Sequence, residues 1–323
     1  MKEKGTVQAH AEKFRDKLYT KKAEKEWRQI LAVAGYNFRL WRRNPRIVIA
    51  FSLAFILCFL LSDKVVRYAE SCHTVMQIFE PFIWTFSDSN SILLASLLLV
   101  FLFADMPFLS SGTPFFLMRT KRSIWLVGQA VYIMAACLFY MVFVLVSTSF
   151  ICINRSFVGN IWSETAARLG YSGAGAKIAV PATIKAMEMS TPYQCMGVIF
   201  GLMLLYTLLL VFLMLVFNLY KGQMAGMLSA FGFSIYGFLL SPDTFKILLD
   251  LSDEEVYKAN ALVGWLSPLN QATFQRHNFG YDMLPTLGQT TGIFLVLIAG
   301  CFLSALRLIR KYSFTFTGTE GER

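Results

Sequence analysis

The sequence predicts an all-α integral membrane protein, with six transmembrane helices preceded by a cytoplasmic amphipathic helix. Three observations carry that prediction. Residues 123–154 and 189–220 each run 32 positions without Asp, Glu, Lys or Arg, whereas about 20 apolar helical residues already cross a hydrocarbon core. Hydrophobic residues make up 56% of the 323 and charged ones only 15%, against about a quarter charged in soluble domains. The net charge of +10 is unevenly placed: 13 of the 30 Lys and Arg lie within residues 1–46, ahead of the first apolar segment. That placement points to a membrane surface rather than to nucleic acid.

In chain order, residues 1–46 form a basic tail and an amphipathic lead-in helix. From Trp27, the apolar positions Ile30, Leu31, Ala34, Phe38 and Trp41 follow three- and four-residue spacing, with Arg28, Arg39, Arg42 and Arg43 on the other faces. Such a helix lies in the membrane interface, either as a topology anchor or as a docking helix for a partner. The more distal run, Phe14 and Leu18 among Lys13, Arg15, Lys17, Lys21, Lys22 and Lys25, touches a protein or stays solvated and partly disordered. Asn44 and Pro45 end the pattern and turn the chain into a transmembrane domain over 47–311. Its spans are 47–62, 91–104, 124–151, 193–217, 224–241 and 286–306. The first two are short; Lys64 and Arg67 can snorkel from one, and Asp105 ends the other, away from the costly bilayer centre. Gly222, Ala225, Gly226, Ala230 and Gly232, in and just before the fifth span, permit close helix approach. External loops over 63–90, 154–188 and 242–285 are long enough for structure of their own. In the last, Phe245, Leu248, Leu249 and Leu251, the acidic run Asp253 to Glu255, and then Val256 and residues 261–266 read as helices over the outer mouth. Arg307, Arg310 and Lys311 form a stop-transfer cluster before a cytoplasmic tail over 312–323.

Orientation follows from the cations, which resist translocation. With the N-terminus inside, 21 Lys and Arg are cytoplasmic and nine are not, and six spans bring the C-terminus back inside. The expectation is a multi-pass protein of the cell membrane, whose first span is retained rather than cleaved as a signal peptide.

Chemistry is sparse. His10, His73 and His277 are far apart and no H-E-x-x-H occurs. Gly170, Gly173, Gly175 and Lys177 fail as a phosphate loop, because Ala176 separates the last Gly from Lys177 and Ile178 stands where a hydroxyl is needed. Asp253, Glu254 and Glu255 read as a solvated face and Asp282 as an isolated loop residue. The six cysteines show no metal or redox spacing, and one disulfide among Cys72, Cys152 and Cys195 stays open. No catalytic, cofactor-binding or metal-binding residue is assigned, so the chain is not expected to be an enzyme. Two alternatives remain: a membrane-embedded enzyme acting on lipid, using His73, His277 and Asp282, and an ion-coupled secondary transporter, which the near absence of ionisable groups within the spans disfavours.

The order of parts resembles the membrane subunits of type-2 ABC transporters. The stretches that carry the resemblance are N-F-R-L-W-R-R-N-P-R over 37–46, P-F-F-L-M-R-T-K-R-S over 114–123 and W-L-S-P-L-N over 265–270. The resemblance implies an exporter permease that pairs with a second permease subunit, as a homodimer or heterodimer, around a translocation path. It also implies a separate cytoplasmic ATPase chain holding ATP and Mg, with membrane lipid as surroundings. In that family the connection between the second and third spans is a coupling helix in a groove of the ATPase, here 107–122. Phe115, Phe116, Leu117 and Met118 would be its knobs and Arg119, Lys121 and Arg122 its charged flanks. The lead-in helix, with Trp27, Leu31, Phe38 and Trp41, would touch the same ATPase. Spans two and five would line the path, making Phe101, Phe103, Phe231, Phe233 and Tyr236 candidate lining residues.

Overall fold

The computed structural model describes residues 2–103, 106, 113–240, 242–250, 252, 255–280 and 282–312, with side chains from Thr20 onward. Expectations on Asp105, Asp253, Glu254, residues 107–112 and residues 313–323 lie outside the described residues, as do those on the side chains of Phe14 and Leu18. The chain is mostly helical. It begins with α1 (Lys2–Leu40), a 3-10 turn (Trp41–Arg43), α2 (Pro45–Ser71), strand β1 (Met76–Gln77), α3 (Glu80–Thr85), α4 (Ser89–Leu102), α5 (Thr113–Arg119) and α6 (Arg122–Ile151). Strand β2 (Ser156–Phe157), α7 (Glu164–Tyr171), α8 (Ala174–Lys177), α9 (Ile184–Met189), α10 (Pro192–Lys221) and α11 (Gln223–Leu239) follow. It closes with α12 (Pro242–Leu248), α13 (Val256–Leu266), α14 (Pro268–Gln271) and α15 (Leu287–Lys311).

Among the described residues, α2, α6, α10 and α15 are each long and apolar enough to cross a membrane. Helix α4 is apolar but has 14 residues, roughly 21 Å at 1.5 Å per residue. Helix α11 reaches spanning length only together with α12, whose axis is bent from it by 74°. The helix starts obey local rules. Asn44 caps α2 by accepting from the Arg46 N–H at 3.0 Å, with Pro45 at the first helical position. Thr191 with Gln194 and Thr286 with Gln289 form capping boxes at α10 and α15. Helix α2 runs on past the apolar stretch that ends at 62, to Ser71. Asp63 and Arg67, one turn apart, pair at 2.8 Å, so the charges that end the apolar stretch support the helix.

Side-chain contacts fix the direction of each long helix. Phe51 of α2 packs on Phe143 and Tyr140 of α6, and Cys58 lies against the Val144 carbonyl, so α2 and α6 run in the same sense. Tyr140 donates to the Ala95 carbonyl at 3.0 Å while Phe103 meets Tyr132, so α4 runs the opposite way. Helix α10 ends beside Met106, to whose carbonyl Asn218 donates. The one-residue joint at Gly222 has φ 92°, a backbone conformation open to glycine, and α11 folds back from it. Helix α15 follows α10, with Phe302 against Phe212. The buried positions of α11 are all small, Gly226, Ala230, Ser234 and Gly237, so the expected close approach is present. Gly226 lies against Asn218 and Met214 of α10, and Gly237 against Leu269 of α14.

The bundle therefore has two ends. One gathers the C-terminal part of α1, α5, the start of α6, the α10–α11 joint and the end of α15. The other gathers the long connections. There β1 pairs in parallel with β2, Met76 opposite Ser156 and Gln77 opposite Phe157. In α12 to α14 the segment after α11 contains helices, as its sequence suggested.

Candidate functional site

The first end carries most of the described basic residues. Along the seam between α1 and α6, Val33 sits on Gly128, where a built Cβ would meet Val33 Cβ at 2.7 Å and the Ile30 carbonyl oxygen at 3.0 Å. One turn on, Asn37 Nδ2 donates to Gln129 Oε1 at 2.8 Å, both residues buried. Next, Trp41 Nε1 donates to the Tyr132 hydroxyl at 2.6 Å, and Phe38 stacks edge-on against the same ring at 4.9 Å. Trp41 also meets Phe51 and Phe139, which joins α1, α2 and α6 in one aromatic cluster. The face that packs on α6 is thus rotated from the apolar stripe of the sequence. Val33 and Asn37 go inward with Ala34, Phe38 and Trp41, whereas Trp27 and Leu31 stay exposed. The missing side chain at Gly128 admits Val33, and the amide pair satisfies Asn37 in a place where an unpaired amide would cost about 1–3 kcal/mol.

Gly128→Leu is accordingly expected to push α1 off α6, costing about 1–3 kcal/mol. Limited trypsin digestion of the purified protein should then cut faster around Arg39 to Arg43 than in the parent; equal rates would refute the seam.

Helix α5 stands against this seam. Phe116 packs on Tyr36 at 5.3 Å, and Thr120 Oγ1 donates to the Phe116 carbonyl at 2.7 Å, closing the helix end. With Phe116 held inward, Phe115 and Met118 point away, 64% and 75% exposed; Arg119 and Lys121 are exposed beside them. Arg122 is otherwise engaged. Its Nη1 donates to the carbonyls of Arg310 at 3.2 Å and Tyr312 at 2.9 Å, capping the C-terminal end of α15. Of the expected coupling residues, Phe115, Met118, Arg119 and Lys121 form one outward surface, while Phe116 and Arg122 hold it in place.

The expected path residues sit on or at the end of α4 and on α11, two helices that pack against each other. Phe103 is fully buried against Tyr132, Phe101 and Phe231 are exposed, and Phe233 and Tyr236 contact each other at 6.4 Å.

At the opposite end, the loops interlock through groups that sequence inspection missed. Glu80, fully buried, accepts from the Ser163 N–H at 2.8 Å and the Ser163 hydroxyl at 2.5 Å. Burial pushes its carboxyl up to about 7, against the lowering effect of the Ser163 and Gln77 hydrogen bonds. Thr74 and Thr165 share a hydrogen bond at 2.7 Å, and Trp84 stacks on Trp162 at 5.3 Å. Asp282, expected to be isolated, is corrected: Lys185 Nζ pairs with its Oδ2 at 2.6 Å and donates to the His277 carbonyl at 3.2 Å. His277 is buried, with Nδ1 shared between the Thr273 and Phe274 carbonyls and Nε2 beside the Thr290 hydroxyl at 3.1 Å. Burial lowers its pKa, so the neutral ring with its proton on Nδ1 fits this setting. His73 is an exposed turn residue at φ 53°. All six cysteines are free thiols, and no cluster of three or more His, Cys, Asp or Glu suited to a metal occurs among the described residues.

A lone carboxylate inside Ile78-Phe79-Glu80-Pro81-Phe82 was the available signal for Glu80, since an acid in an apolar run needs a partner. Compared with protein-family models, curated proteins and solved structures, the chain has no match.

Proposed function

We propose that the chain is the membrane-spanning permease subunit of an ATP-driven transporter of the type-2 ABC kind, an exporter energised by a separate cytoplasmic ATPase chain. In this reading all six apolar helices cross or enter the membrane, both termini are cytoplasmic, and a second permease subunit completes the translocation path. ATP and Mg belong to the partner ATPase.

The observation that carries the reading is the surface of α5. A short helix braced on α1 and the start of α6 presents Phe115 and Met118 outward with Arg119 and Lys121, at the end of the bundle richest in cations. Aromatic, Met and Arg side chains are enriched in protein interfaces, and exposed apolar groups on a rigid mount suit a partner's groove. The alternating sense of α2, α4, α6, α10, α11 and α15 supports the six-pass arrangement.

The test uses the full chain expressed with its native membrane complement. Purification should bring down an ATPase with Walker motifs, whose hydrolysis rate changes when the chain is bound. Replacing Phe115 and Met118 together by Asp should weaken that association at least tenfold, with the thermal midpoint of the permease unchanged. Reversing the charges of Arg119 and Lys121 should weaken it less, because rim charges contribute less than buried anchors. Recovery without an ATPase, or binding indifferent to both sets of changes, would refute the proposal.

A further inference from the structure

A cavity of about 520 Å³ opens at the end of the bundle opposite α5, between α13, the 3-10 turn Phe274–Arg276 and residues 282–284. That volume lies in the range of small-molecule sites. Its walls are fixed by side chains. Trp265 Nε1 donates to the Met283 carbonyl at 3.0 Å, and Lys185 holds Asp282 at 2.6 Å. Leu284 lies so close on Gly264 that a Cβ there would meet Leu284 Cδ2 at 2.4 Å. Gln275 Nε2 donates to the Pro181 carbonyl, which ties the turn to the segment between α8 and α9. A cleft already held in place has little freedom left to lose when an occupant enters.

The charges around the cavity set the sign of that occupant. Asp282 is neutralised by Lys185, and Lys258, next to Tyr257 on α13, by Glu255. Arg276 is left over: it lines the cavity, is exposed, and has neither an ion pair nor a side-chain hydrogen bond among the described residues. One uncompensated guanidinium suits one anionic group, and its planar fork meets a carboxylate through two parallel N–H···O bonds. Beside it, the side-chain amides of Asn260 and Asn270 line the same space and make no hydrogen bond among the described residues. Gln275, with Nε2 spent, keeps Oε1 as an acceptor. Ala261, Val263 and Leu284 supply an apolar wall. A cation would be repelled, and a wholly apolar occupant would strip water from Arg276 and two amides without replacing it. A multiply charged phosphate would find a single cation.

We infer that this cavity is a binding site for a small amphiphilic carboxylate. The carboxylate accepts from the Arg276 guanidinium, amide or hydroxyl groups of the ligand exchange hydrogen bonds with Asn260, Asn270 and Gln275 Oε1, and its apolar part lies on Val263 and Leu284. The inference rests on these connections alone and is independent of the transport reading.

Equilibrium dialysis of the full chain in detergent tests it, with N-acetyl-leucine as the probe and N-acetyl-leucinamide, equal in size but uncharged, as its control. The acid should bind about tenfold more tightly than the amide, the value of one charge-assisted contact. Arg276→Gln should remove that difference and leave the thermal midpoint unchanged, because the Arg276 side chain holds nothing in the fold. Arg276→Lys keeps the charge without the fork and should restore only part of it. Dihexanoyl phosphatidylglycerol, a soluble lipid with a singly charged phosphodiester, should compete poorly. No saturable binding of the acid, equal binding of acid and amide, or a preference that survives Arg276→Gln would overturn the inference. Competition by the lipid on a par with the acid would overturn the assignment to a carboxylate.

Discussion

Gly226→Ala is expected to destabilise the bundle by about 2–4 kcal/mol, although the same exchange in an open helix position gains about 1 kcal/mol. A methyl built at Gly226 would lie 1.7 Å from Asn218 Oδ1 and 2.7 Å from the Met214 carbonyl oxygen. Neither can yield cheaply. The Asn218 side chain is anchored by its hydrogen bond to the Met106 carbonyl, and Met214 O belongs to the backbone of α10. Relief requires α11 to move away from α10 and to open the contacts of Ala230 and Ser234 behind it. Gly232→Ala, on the same helix with nothing within 4 Å of the new methyl, is the control and should be neutral or mildly stabilising. Denaturation midpoints in detergent decide the matter. Similar midpoints for the two variants would mean that α11 does not pack on α10 through its small face.

The connections at the end of the bundle opposite α5 should loosen as pH rises. Glu80 has a pKa raised from the ordinary 4.5 to about 7 in the folded chain, chiefly by burial. The folded state therefore binds the proton more tightly than the unfolded one, and stability falls as pH climbs from about 4.5 through about 7. At 1.36 kcal/mol per unit, the loss is on the order of 3 kcal/mol. Glu80→Gln keeps an acceptor for the Ser163 N–H and cannot ionise. Its thermal midpoint should match the parent near pH 5 and exceed it by several degrees near pH 8. Parallel pH profiles for parent and variant would show that Glu80 is not the titrating group.

How much of this was legible beforehand depended on the kind of force involved. The charge-free runs located α6 and α10 to within a few residues, because partition into lipid is a property of composition. Asn44 and Pro45 marked the start of α2 through local backbone rules. The end of α2 escaped, since hydropathy registers where apolar residues stop and not where a helix stops; Asp63 and Arg67 support helix and polarity at once. The rotation of α1 was hidden for another reason. Its inward face is chosen by an absent side chain at Gly128 and by Gln129, about 90 residues away, and periodicity within α1 carries no record of either. The same holds for Glu80 with Ser163 and for Lys185 with Asp282, pairs drawn from separate connections. For the α5 surface the residue types were readable, whereas the division between outward Phe115 and Met118 and inward Phe116 needed Tyr36.

Arg122 holds the carbonyls of Arg310 and Tyr312, 188 and 190 positions further along. During biosynthesis these two carbonyls do not exist until translation has passed Tyr312, so this contact forms only after every intervening helix has been made. The tie between the start of α6 and the end of α15 therefore forms late in synthesis, and inserting a bulky reporter directly after Tyr312 would strain it instead of merely decorating the chain.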